Sequence, residues 1–233
     1  MPNLSFNGKV LELGGSGRLN FPTPTPTIPT ILDRDLNEYT TVIIGTQEWT
    51  VENFKCTKFA DGTSITDGDI YANWVDANGA YCNYNADPLI GDVYGYIYSG
   101  YAIRNAKGLS YFTKDTIVQT GWRLASQGDW DTLYTYLGGA GVATPKMKEA
   151  GSDHWPLAND GTNESGLSVL GGGHRDYSGA FTNLKSGTGI FTSTVAFTNY
   201  YKRVFFYQNF DASTNDNGQL TDGGYLRFVK DVV

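Results

Sequence analysis

Apolar side chains recur three and four residues apart over SQGDWDTLYTYLGG, residues 126–139, where Trp130, Leu133 and Leu137 fall on one helical face. Ser126 stands where an N-cap belongs and Asp129 three residues on, the spacing of a capping box, while Gly138 supplies a stop. The pattern predicts a helix over 126–137 resting on a small twisted sheet. A second short helix is expected within YGYIYSGYAIRNA, residues 94–106. Elsewhere the period is nearer two. YTTVIIGTQEWTVENF (39–54) reads as strand, glycine turn and strand, and LSFNGKVLEL (4–13) as a hairpin around Asn7-Gly8. From residue 150 onward the pattern suggests loops with short aromatic strands in GAFTNL, GIFTSTVAF, YYKRVFFYQNF and GYLRFVKD. The expected class is therefore α+β, with an irregular C-terminal half.

NFPTPTPTIPT (20–30) divides this pattern, because each proline fixes its own φ and holds its predecessor extended. The run favours polyproline II and acts as a semi-rigid spacer. Three regions follow: an N-terminal β arm at 1–19, a Pro/Thr-rich linker at 20–38 and a folded domain at 39–233. Some twenty residues cannot bury a core, so the arm is expected to dock on another chain or to oligomerise.

Composition narrows the function classes. The 233 residues carry a net charge of −7, which argues against a nucleic-acid partner. Sixteen tyrosines, twelve phenylalanines, five tryptophans and twenty-nine glycines, with 18% charged residues, suit a carbohydrate binder, an adhesin or a virion fibre. No apolar run approaches the ~18 residues of a membrane span, and the first residues lack the pattern of a secretory signal, so synthesis in a cytoplasm without membrane insertion is expected.

Motifs for chemistry are sparse. GTNESGLSVLGGGHRD (161–176) is glycine-rich but lacks both a GxGxxG opening a helix and a Gly-Lys-Ser/Thr pair, so it is read as a scaffold loop, with Arg175 anchoring it through a carboxylate. Cys56 and Cys82 match no zinc spacing; two buried thiols and a single disulfide both remain open. His154 and His174 have no triad spacing to a nucleophile and are expected at loop surfaces. Asp153, Asn159, Asp160, Asn163 and Glu164 bring five oxygen-bearing side chains into twelve residues, a candidate set for a structural calcium. A loop satisfied by its own Asx turns is the competing reading. No other cofactor and no enzymatic activity are expected.

Six ordered blocks resemble one family. VIIGTQEWTVENF, GDVYGYIYSGYAI, GWRLASQGDWDTLYTYLGG, GTNESGLSVLGGGHRD, GIFTSTVAFTNYYKRVFF and GYLRFVKD are similar, in order, to those of the Fibrobacter succinogenes major paralogous domain, over about residues 39–231. Ala125 stands where that family has proline, Phe191 and Thr192 open its W-S-S-T block, and Phe228 replaces a frequent cysteine, so a family disulfide does not carry over. The resemblance implies a C-type lectin-like fold in its broad sense. It leaves about 195–217 free as recognition loops, where Tyr200, Tyr201, Tyr207, Asn209, Asn215 and Asn217 are the candidate ligand-binding residues. The expected role is a phage virion surface protein, a fibre, tip or capsid decoration, in which the arm docks on other virion proteins. Its head would bind a host-surface glycan or protein, as a homo-oligomer; the alternative is a bacterial surface adhesin or lipoprotein.

Overall fold

Short hairpins begin the fold. In the computed structural model, which describes residues 30–156, 159–208 and 210–232 with the backbone strands of the arm, β1 (Ser5–Phe6) pairs with β2 (Lys9–Val10). Phe6 faces Lys9 across the Asn7-Gly8 position, as the hairpin pattern requires. A further pair, β3 (Glu12–Leu13) and β4 (Leu19–Asn20), follows. The proline–threonine run at 21–29 lies outside the described residues. The end of the expected linker, however, belongs to the domain: β5 (Thr30–Leu32) pairs with β6 (Glu38–Ile44), and buried Asp33 ties the turn between them. Its carboxylate accepts from the Asp35 and Asn37 amides and, at 2.6 Å, from the Tyr39 hydroxyl.

The strand–turn–strand pattern at 39–54 forms as expected. β6 runs into β7 (Gln47–Thr50) through Gly45-Thr46, with Gly45 at φ 63° where only glycine turns freely. The chain continues through β8 (Thr66–Asp67), α1 (Tyr71–Trp74), β9 (Ala80–Cys82), α2 (Pro88–Tyr94), β10 (Ile97–Ser99) and α3 (Gly100–Arg104). It then passes β11 (Phe112–Lys114), β12 (Ile117–Gln119), β13 (Arg123–Leu124), α4 (Gln127–Tyr136) and α5 (Ala140–Met147). Helix α4 carries the expected capping box: Ser126 accepts from the Asp129 amide at 3.1 Å, and Asp129 accepts from the Ser126 amide at 2.8 Å.

The C-terminal half departs most from expectation. β14 (Gly172–Arg175), β15 (Phe181–Leu184), β16 (Gly187–Phe197), β17 (Tyr200–Tyr207), β18 (Phe210–Gln219), β19 (Gly223–Leu226) and β20 (Phe228–Asp231) make the chain from 172 onward mostly strand, while the described residues of 150–171 form no helix or named strand, as the loop expectation has it. β16, β17 and β18 form a long antiparallel meander. One curled mixed sheet runs β18-β17-β16-β14-β19-β10-β9-β8, with β15 on β14; the other, antiparallel, runs β12-β11-β5-β6-β7-β20-β13. Helices make up only about 19% of the structure. The protein is thus mainly β, a two-sheet sandwich, and the α+β, lectin-like expectation is overturned. One contribution comes from DASTNDNG (211–218), turn-forming by local chemistry, which is drawn into a ladder with β17; pairing overrides propensity there.

Both sheets feed the core. On one side Trp130 of α4 lies between Trp49 of β7 (4.7 Å between ring centroids) and Phe206 of β17 (5.9 Å). On the other, Phe54, Phe112 and Phe228 pack together with Tyr39, Tyr98, Phe191 and Leu226. Between β19 and β20 a single residue, Arg227, takes the chain from one sheet to the other. At this crossing the buried guanidinium collects acceptors from other segments of the chain. Nη1 donates to the Thr50 and Leu167 carbonyls (2.9 and 3.2 Å), and Nε to Asn53 Oδ1 (2.7 Å). The Leu167 contact pins the 161–176 stretch as a scaffold segment.

Candidate binding site

A cleft of about 550 Å³ opens where α3 meets the tip of the β16–β17 hairpin, lined by Ala77, Tyr101, Arg104, Asn199, Tyr200 and Gln219 among others. Two glycines place α3 there. A Cβ on Gly79 would fall 2.4 Å from Ala102 Cα, and one on Gly100 would fall 2.8 Å from Leu220 Cα. The helix therefore sits tight against both the turn before β9 and the turn after β18. Ser99 caps it, its Oγ accepting from the Ala102 amide at 3.4 Å and from the Ala80 amide at 3.0 Å. Tyr101 and Arg104, three apart on α3, come to one side. The guanidinium lies 5.0 Å from the Tyr101 ring, and its Nη1 donates to Asn199 Oδ1 at 3.2 Å.

The opposite wall is a tight turn. Phe197 pairs with Tyr200 across Thr198-Asn199, their rings 4.2 Å apart, and Asn199 adopts φ 66°, which asparagine tolerates better than most residues. Tyr200 is half-buried by this pairing and still lines the cleft.

Of the six candidate ligand residues, the cleft takes in Tyr200. Tyr201 points into the core at 9% exposure beside Phe191 and Leu220. Tyr207 is exposed but lies at the far end of β17, about 23 Å of strand from Tyr200, its ring stacked on Phe205 at 4.8 Å. Asn217 is half-buried opposite Lys202, with its Oδ1 unpartnered among the described residues. Asn215 lies on β18, its side chain outside the described residues, as is the whole of Asn209. The 195–217 span, expected as loops, is strand except at its turns; alternation along strands separates what sequence adjacency suggested would converge.

Four of the five candidate calcium ligands engage other partners. Asp160 pairs with the Lys148 ammonium, which is fully buried and also donates to the Tyr207 and Gln208 carbonyls (3.1 and 2.8 Å). Asn159 donates to the Glu149 and Gly151 carbonyls (2.7 and 2.9 Å), and Asn163 Oδ1 accepts from the Ser168 amide at 2.9 Å. Glu164 is 3.8 Å from Lys146, and Asp153 is exposed. Among the described residues no group of three or more His, Cys, Asp or Glu could hold a metal.

Three other expectations are corrected or resolved. Arg175 anchors its segment through carbonyls, not a carboxylate: Nη1 donates to Gly68 O at 2.8 Å and Nε to Gly179 O at 3.2 Å, with the Trp74 ring at 4.5 Å. His174 sits on β14 rather than on a loop surface, its ring edge-on to Phe205 at 4.8 Å. Burial, then the Arg203 charge, lowers its pKa to about 4. Cys56 and Cys82 are free and buried, and burial raises each thiol to about 12. His154, half-buried, meets Glu149 at 2.8 Å.

Residue-by-residue reading missed Tyr101, Arg104, Asn199 and Gln219. The spacing of Tyr101 and Arg104 on a short helix was a readable signal; their meeting with a turn nearly a hundred residues later was not. A second, smaller cleft of about 190 Å³ lies beside Arg227, between Asn53, Asp92, Tyr94 and Ser168.

Fold and site together define a mainly-β, two-sheet domain with an open cleft of aromatic, amide and guanidinium groups at one end. The family model of the Fibrobacter succinogenes major domain matches residues 42–230, and the chain belongs to that family. No curated protein and no solved structure matches the chain.

Proposed function

We propose that the domain is a non-enzymatic recognition head that binds a host-surface glycan through the α3 cleft. The observation that carries this reading is the cleft's lining: two tyrosine rings, a guanidinium, and the Asn199 and Gln219 amides. Tyrosine offers a rigid apolar face to a pyranose ring, and amides offer paired donors and acceptors to its hydroxyls. Buried thiols and a histidine titrating near 4 are poor nucleophiles or bases at neutral pH, which supports a binding role over catalysis. The net charge of −7 speaks against a nucleic-acid ligand.

The carrier we propose is a phage particle, with the chain as a fibre, tip or capsid decoration whose N-terminal arm docks on other virion proteins. The arm supports this through its composition, short self-paired strands followed by a proline–threonine spacer. The test is host-cell binding by the purified chain with Asn199 and Tyr200 both replaced by alanine. Binding should fall at least tenfold while the melting temperature stays within a few degrees, since a contact aromatic carries about 2 kcal/mol. A folded double variant that binds host cells undiminished removes the cleft from the reading.

A further inference from the structure

We propose that the α3 cleft selects a sugar bearing an oxyanion, a carboxylate or a sulfate, which Arg104 takes up. This rests on the glycan-binding reading above and goes further by naming the ligand's charge. Arg104 is the one charged residue among those lining the cleft, although the chain as a whole is acidic.

Three observations converge on it. First, Arg104 is exposed and, among the described residues, faces no carboxylate within ion-pair distance, unlike Arg123 with Asp129 and Asp231 or Arg203 with Asp216. Second, the guanidinium is held without being neutralised. The Tyr101 ring lies 5.0 Å from it, and Asn199 Oδ1 accepts from Nη1 at 3.2 Å, so the fork is oriented while donors remain for a ligand. Third, the carboxylates next to the cleft in sequence are turned to other partners. Asp76, beside Ala77, accepts from Thr66 Oγ1 at 2.6 Å and from the Asn78 amide at 2.8 Å. Asp222, beside Thr221, accepts from the Gln219 amide at 2.6 Å and lies 3.7 Å from Arg203.

A planar, oriented guanidinium pairs with carboxylate or sulfate oxygens two at a time, a geometry that a neutral hydroxyl cannot reproduce. Tyr101 and Tyr200 flank the same space and would hold the sugar ring while Arg104 reads its charge. The volume of about 550 Å³ lies within the roughly 300–1,000 Å³ usual for small-ligand sites, enough for a short oligosaccharide.

The test is an array of acidic and neutral glycans probed with the full chain, followed by titration calorimetry on matched oligosaccharides that end in glucuronate, in a sulfated hexose or in glucose. The expected result is that an acidic ligand binds about ten- to a hundredfold tighter than its neutral match, as a charged hydrogen-bonded pair implies. That preference should shrink as salt rises. The glucuronate and sulfate arms show which oxyanion is read. Arg104→Gln should erase the preference and Arg104→Lys should restore part of it, with melting temperatures confirming that both variants fold. If the neutral sugar binds as well as the acidic one, and does so through Tyr200, the charge selection is overturned while the glycan reading stands. If wild type binds no glycan on the array, both fall. If acidic glycans bind equally well to Arg104→Gln, the oxyanion is read elsewhere and this assignment is wrong.

Discussion

Trp130 sits fully buried between Trp49 and Phe206, so removing its ring opens a cavity where α4 meets both sheets. Trp130→Ala should cost about 3–5 kcal/mol in urea unfolding, and a loss below about 1 kcal/mol would contradict this packing. Arg227 differs because its burial is itself costly: desolvation lowers its pKa to about 10. Arg227→Met removes that cost but leaves the Thr50 and Leu167 carbonyls and Asn53 Oδ1 without their donor. Stranded acceptors cost about 1–3 kcal/mol each, so the substitution should destabilise by at least ~2 kcal/mol. A gain instead would mean that the buried charge outweighs the bonds it makes. His174 carries the pH prediction. Its folded pKa of about 4 lies below the ordinary value near 6.5, so between these the unfolded chain binds the proton and the folded one does not. Stability should therefore fall as pH drops from about 6.5 towards 4. His174→Gln should flatten that part of the profile relative to wild type, as read from melting temperature against pH.

Elements differ in how local their causes are. Helix α4 is set by its own residues, the reciprocal Ser126–Asp129 cap and the Trp130–Leu133 face, which is why the pattern of 126–137 could be read directly. Ser126→Ala should lower stability by about 1 kcal/mol. The β6–β7 hairpin is equally local, because a glycine turn joins two alternating runs. Helix α3 is placed from outside, by the close approaches at Gly79 and Gly100. Gly79→Ala, at φ 101° and against the Ala102 backbone, should destabilise the domain and shift α3, weakening ligand binding more than Asn199→Ala does. β18 is also one arm of a hairpin, with Tyr207 opposite Phe210, but it forms against its own composition. Its Asn, Asp, Ser and Gly content reads as a turn, and it extends because β17 offers an unpaired edge.

At the scale of the whole molecule, the boundary between arm and domain can be tested by truncation. β5 supplies a strand between β6 and β11, with Ile31 buried in the core. Removing residues 1–29 should leave the melting temperature unchanged, whereas removing 1–38 takes away β5 and Asp33 and should unfold or strongly destabilise the domain. Equal behaviour of the two truncations in calorimetry would place the boundary elsewhere.

The sequence by itself determined the family, through six ordered blocks, and those elements whose cause is contained within about fifteen residues: the arm hairpin, β6–β7 and α4. It also set the acidic, aromatic character of the chain. Tertiary structure alone decided that the class is mainly β, because the strands join into two sheets through pairings remote in the chain, such as β7 with β20 and β10 with β19. It also decided the site. Tyr101 and Arg104 meet Asn199 and Tyr200 only because α3 packs against the end of a hairpin remote in the chain. Alternation along β17 sends Tyr201 inwards, and strand length carries Tyr207 away from Tyr200. Local periodicity records which way a side chain faces within its own element; which elements then become neighbours depends on the burial and pairing of the entire chain.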